Sequence, residues 1–157
     1  MKHLYLRPLA LIAAGLSIPA MAQDKPVQLS SEVQLVRVVT VDGQQSQTLV
    51  KPEGVIPGDK LVFTTTYRNS GGEAVSDFTM VNPVPQHMVL ADQDLGSADV
   101  SVDGGKTFAK LAELRVTDAS TAEERPAQSS DVTHLRWTIS SVAPGGEGSV
   151  KFSALVR

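Results

Sequence analysis

The chain has 157 residues with a formal net charge of −3, 41% hydrophobic and 20% charged residues, and no cysteine. No basic tract exists that could release counterions from phosphates, which argues against nucleic acid as a partner. The lack of cysteine excludes disulfides, thiolate metal sites, cysteine nucleophiles and a lipid-bearing cysteine, so stability must come from a packed core.

At the N-terminus, Lys2 and Arg7 precede an apolar run from Leu9 to Leu16, and Ala20-Met21-Ala22 makes a small-x-small cleavage pattern. This is the layout of a secretory signal peptide, and the run is shorter than the ~20 apolar residues that span a bilayer. Cleavage near Ala22 removes residues 1–22 and both cations, leaving a more acidic chain of one domain's size with no transmembrane segment. The expected location is the periplasm or the cell exterior. Residues 23–31 are polar, contain Pro26, and read as a flexible leader.

From Glu32 to Arg157, runs of Val, Leu, Thr and Phe alternate with Gly and Pro about every ten residues, the spacing of an all-β fold. Residues 33–50 predict a hairpin turning at Asp42-Gly43, with a return strand from Gln47 to Val50. Val38, Val39 and Val41 break strict alternation, so a bulge or a strand shared between sheets is expected there. Along 60–68, Leu61, Phe63, Thr65 and Tyr67 share the face that should meet the core. The same alternation turns Leu135, Trp137 and Ile139 inward, and likewise Val150, Phe152, Ala154 and Val156. The core is thus expected around Phe63, Tyr67, Leu135, Trp137, Ile139 and Phe152, between antiparallel sheets with one wet face each. Residues around Lys110 could form a short helical turn, and 117–131, polar throughout, read as a mobile loop within a single domain spanning 32–157.

Residues 56–90 carry Pro57-Gly58-Asp59, a strand with Phe63 and Tyr67, an Asn69-Ser70-Gly71 turn, and Asn82-Pro83-Val84-Pro85. This order resembles the bacterial cell-surface repeat family described as domain of unknown function 11, in a single copy and with Asn82 where that family has aspartate. The resemblance implies an immunoglobulin-like antiparallel β-sandwich of about 7–9 strands in the cell envelope, and it implies no catalytic residues. Pro57 and Gly58 are expected to start a strand from a tight turn, and Asn69, Gly71 and Gly72 to supply the positive φ angles of a hairpin.

Ser101, Asp103, Gly105, Thr107 and Phe108 are similar to the Asp-box, a turn motif known from sialidases and β-propellers. Its Ser and Asp bond turn backbone groups, which predicts a structural hairpin. Asp92, Asp94, Asp99 and Asp103 lack the closing Glu and the Gly of a calcium loop and read as a solvated acidic edge. His87 and His134 lack zinc-ligand spacing and read as surface residues, and no GxSxG elbow is present. Trp137 reads as a core anchor rather than a ligand platform.

No catalytic residue, metal or cofactor is therefore assigned. The expected function is that of an exported, non-catalytic module contacting another envelope or surface protein, its oligomeric state open; the last strand, near the chain end, is one candidate for edge addition. The alternative is a β-sandwich that binds a small ligand, a glycan or calcium.

Overall fold

The computed structural model describes residues 26–91, 95–118 and 120–157, and the signal-peptide reading of 1–22 lies outside them. The chain folds as an all-β, antiparallel sandwich whose strands are β1 (Val27–Val41), β2 (Gln44–Val50), β3 (Lys60–Asn69), β4 (Val75–Pro83), β5 (Met88–Leu90), β6 (Asp99–Ser101), β7 (Arg115–Thr117), β8 (Glu124–Pro126), β9 (His134–Val142) and β10 (Glu147–Val156). One sheet has the order β2-β1-β3-β10-β5, the facing sheet β4-β9-β6, and β7-β8 form a separate ribbon. The ten strands among the described residues exceed the seven to nine expected, because short pairings form where the sequence suggests loops.

The core lies where the alternation places it. Met80, Val100, Leu135, Trp137, Phe152 and Ala154 are buried, with Phe63, Tyr67, Phe78, Ile139 and Val150 packed against them. Phe63 and Phe152 face each other across β3 and β10, stacked at 4.8 Å between centroids with 7° between planes. Trp137 reaches the same ring from the other sheet at 6.3 Å. Offset aromatic pairs of this kind add ~0.5–1.5 kcal/mol beyond their burial. Tyr67 tilts against Phe78 at 6.0 Å and lies across Gly148, where it leaves no room for a Cβ.

Ile56-Pro57-Gly58-Asp59 forms the expected turn: Asp59 N–H donates to the Ile56 carbonyl at 3.1 Å, and Gly58 sits at φ 91°. Proline at the second position and a positive φ at the third are the marks of a type II turn. The turn also grips the end of β10, since Gly58 N–H donates to Val156 and Val156 N–H to Asp59, both at 2.9 Å.

The Asn69-Ser70-Gly71 stretch works differently from expectation. Neither Asn69, Gly71 nor Gly72 has a positive φ, and the segment is no hairpin: it crosses from β3 in one sheet to β4 in the other. The fully buried Asn69 side chain organises the crossing. Its amide donates to the Glu73 carbonyl at 2.7 Å and the Val142 carbonyl at 2.9 Å, while its oxygen accepts from Gly71 N–H at 2.9 Å. Gly71 is required for closeness, since a Cβ there would meet the Pro26 side chain at 2.9 Å.

Three further expectations are corrected. The leader ends early: β1 begins at Val27, with Val27 opposite Asn69 and Ser31 opposite Thr65, because the polar residues of 27–31 suit an edge whose outer side is wet. Residues 117–131 are not an open loop. Arg125 grips Asp131 through two hydrogen bonds of 2.7 and 2.8 Å, closing β7 and β8 into a ribbon that ends in a 3-10 turn at Ser129–Asp131. The terminal strand β10 is no sheet edge at its end, because Ala154–Val156 pair with β5 while β3 pairs along the other side.

Phe152→Ala should cost ~3–5 kcal/mol of unfolding free energy, the range for deleting a buried aromatic ring. Leu49→Ala, at an exposed position, should change it by less than ~0.5 kcal/mol. Urea denaturation of the two variants checks the contrast, and equal losses would contradict this core.

Candidate functional site

The Asp-box residues assemble into one closed hairpin. Ser101 Oγ donates to Asp103 Oδ1 at 2.7 Å and accepts from Gly105 N–H at 2.9 Å. Asp103 Oδ1 also accepts from Lys106 N–H at 3.1 Å and Thr107 N–H at 3.0 Å, while Oδ2 accepts from Thr107 Oγ1 at 2.7 Å. A bridge between Val100 and Ala109 closes the loop. Phe108 then lies under the Arg136 guanidinium, 4.5 Å from ring centroid to Cζ, and Gly105 lies against the His134 imidazole. Both Asp103 oxygens are engaged by the turn itself, and the hydrogen bonds from Thr107 N–H and Ser101 Oγ hold this carboxyl far below the usual range.

Asp99 is not part of a solvated acidic edge. Its Oδ1 pairs with Lys110 Nζ at 3.0 Å and its Oδ2 with Arg136 at 3.1 Å, and the Lys110 hydrogen bond lowers its pKa most. Lys110 also donates to the Ser97 and Ala98 carbonyls, which anchors the 3-10 turn Leu111–Glu113 beside β6. Asp92 and Asp94 lie outside the described residues. Among the described residues no group of three or more His, Asp or Glu is placed to hold a metal ion.

The fold brings His87 and His134 into one open cleft of about 470 Å³, which also receives Pro85, Asp131, Thr133 and Arg157. Their separation in sequence gives no sign of this. His134 Nδ1 lies 3.1 Å from Thr133 Oγ1, while the Asp131 carboxylate in the same cleft is taken up by Arg125. His87, at φ 64°, contributes its carbonyl to Arg157 N–H at 2.8 Å. With Asp131 spent on Arg125, that carboxylate is not available to orient the His134 imidazole as the third member of a relay.

The hairpin of β1 and β2 is the other unusual feature. β1 pairs with β3 from Val27 to Leu35 and with β2 from Leu35 to Val41, so the two pairings share only Leu35. At ~3.4 Å per residue, 36–41 carry the turn about 20 Å past the last β3 pair. Asp42 and Gly43 make the turn at φ 52° and 78°, as a two-residue hairpin of the right twist requires. The register runs without the bulge expected at Val38-Val39; those valines lie on a projecting ribbon and need not obey a one-face rule. Every side chain of β2 is exposed, and Val38 and Val41 are 59% and 61% accessible. At the base, Arg37 pairs with Asp59 at 3.2 Å, tying the ribbon to the type II turn.

The hairpin is legible in the sequence; its projection is not. The signal available is that Gly43 to Val50 supplies only Leu49 and Val50 as large apolar residues, too few to face a core.

No family model, no curated protein and no solved structure matches the chain.

Asp103, Asp118 and Asp131 join Asp99 in having lowered pKa values, through hydrogen bonds from Thr107, Ser120 and Arg125 respectively. A carboxyl whose folded pKa lies below its unfolded one stabilises the fold above the ordinary value of about 4 and loses that contribution as pH falls further. The melting temperature should therefore drop progressively below pH ~4, and Asp103→Asn should melt lower at neutral pH with a shallower acid decline. Thermal melts across that range test this, and parallel curves for the two proteins would refute it.

Proposed function

We propose that this protein is an exported, non-catalytic module of the cell envelope that works by protein contact, with the β1–β2 ribbon as its contact element. The observation that carries this is the ribbon itself: it extends beyond the sandwich, ends the five-stranded sheet, and exposes all of β2. A two-stranded ribbon is marginal on its own in water, and an unpaired edge is a template for another strand. Export rests on the N-terminal pattern, and placement in the envelope on the resemblance to the cell-surface repeat family with its immunoglobulin-like fold.

The binder of a small ligand or glycan would use the cleft between His87 and His134, which also reaches Gly104 of the Asp-box hairpin. Calcium is disfavoured at that hairpin, because Asp103 spends its oxygens on the turn.

Shortening the ribbon by joining Arg37 to Thr48, a pair that like Val41 and Gln44 exchanges both hydrogen bonds, through Asp-Gly should leave the melting temperature within a few degrees of wild type and abolish capture of the envelope partner that wild type retains. Unchanged capture would refute the ribbon's role. Thermal stabilisation by a glycan or calcium, equal in both proteins, would favour the binder.

A further inference from the structure

The identity of what meets the ribbon follows from its charge and its hydrogen-bond register; the inference rests on the ribbon being a contact element. Gly43 to Val50 carries no charged side chain, whereas the chain as a whole is acidic. Two copies therefore repel over most of their surfaces and meet without that penalty along β2. The uncharged stretch is bracketed by Asp42 at one end and Lys51 at the other. Antiparallel pairing of two such strands brings each Asp42 beside the Lys51 of the second copy, while parallel pairing would set like charges together.

The backbone adds a register. In a two-residue hairpin the closing pair, here Val41 and Gln44, exchanges both hydrogen bonds, and the pattern then alternates. Gln44, Ser46 and Thr48 thus turn their N–H and C=O groups toward β1. Gln45, Gln47 and Leu49 turn theirs outward, to the side where β2 has no strand neighbour among the described residues.

We propose that β2 pairs antiparallel with β2 of a second copy about a twofold axis at Gln47. This sets Gln47 opposite Gln47 and Gln45 opposite Leu49, matching outward donors to outward acceptors along the whole strand. Two marginal ribbons become one four-stranded sheet, and Leu49, beside Val36 on its own ribbon, gains neighbours on the same face. The edge carries none of the lysines, prolines or bulges that natural sheets use to block such pairing, and its composition is that of strands which self-associate. The interface is isologous, so it closes at a dimer.

The absence of native cysteine makes the register directly readable. In the full chain, expressed with its N-terminal segment in place, Gln47→Cys should form a disulfide-linked dimer under mild oxidation. Gln44→Cys should not, since its two copies would lie about 20 Å apart. Light scattering of wild type should show a concentration-dependent dimer, and Gln47→Pro, which alters only an outward N–H, should be monomeric with its fold intact. A wild-type monomer at all concentrations, with Gln47→Cys cross-linking no better than Gln44→Cys, would overturn the dimer. If that monomer still captured another protein through the ribbon, the contact reading would stand with a different occupant; an inert monomer would sink both.

Discussion

The Phe152 ring, held between Phe63 and Trp137, is the constraint on which the remaining structure depends. It fixes the register of β10 against β3 and joins both strands to the facing sheet. A slip of one residue would turn Phe152 outward and bring a neighbouring Lys151 or Ser153 into its place, so the cost of misregister is a lost ring and an unpaired polar group together. With β3 pinned, β1 is pinned along its first half. The second half of β1 then has nowhere to go but past the end of the sandwich.

Buried polar contacts complete the seam between the sheets. Asn69 links the end of β3 to Val142 at the end of β9, and Asn82 on β4 donates to Thr65 on β3 at 2.8 Å. These bonds act only when the sheets are correctly apposed, so they add specificity to what the rings supply in energy. Sheet edges are treated unequally. β4 is interrupted at Asp77, a charged residue with φ 51° in mid-strand, which spoils it as a template. No comparable device interrupts β2, whose residues from Gln44 to Val50 are uncharged and regular. An edge left open where another is blocked is the pattern expected of a surface that is used.

Much of the fold is legible in the sequence, because period-two alternation is a local property. Leu61, Phe63, Thr65 and Tyr67, or Leu135, Trp137 and Ile139, declare their faces without knowledge of their partners. The Asp-box hairpin is legible for the same reason, since its bonds span only four residues. What could not be read is what depends on distant segments. Asn69 looks like a turn former until Val142 is beside it, and His87 and His134 look unrelated until the sheets meet. Residues 117–131 are a different case: the Arg125–Asp131 clasp spans only six residues but follows no periodic pattern. The projecting ribbon falls between these cases, since its pairing is local while its exposure depends on where β3 stops.

Native-state hydrogen exchange on the dilute protein tests the central division between a body locked by the Phe63, Phe152 and Trp137 rings and a ribbon standing outside it. Amides of Phe63, Trp137 and Phe152 should exchange only through global unfolding, while the amides of Gln44, Ser46 and Thr48, which are turned toward β1, should exchange orders of magnitude faster through local opening. Uniform protection across both regions, or protection of the ribbon above that of the three rings, would contradict it.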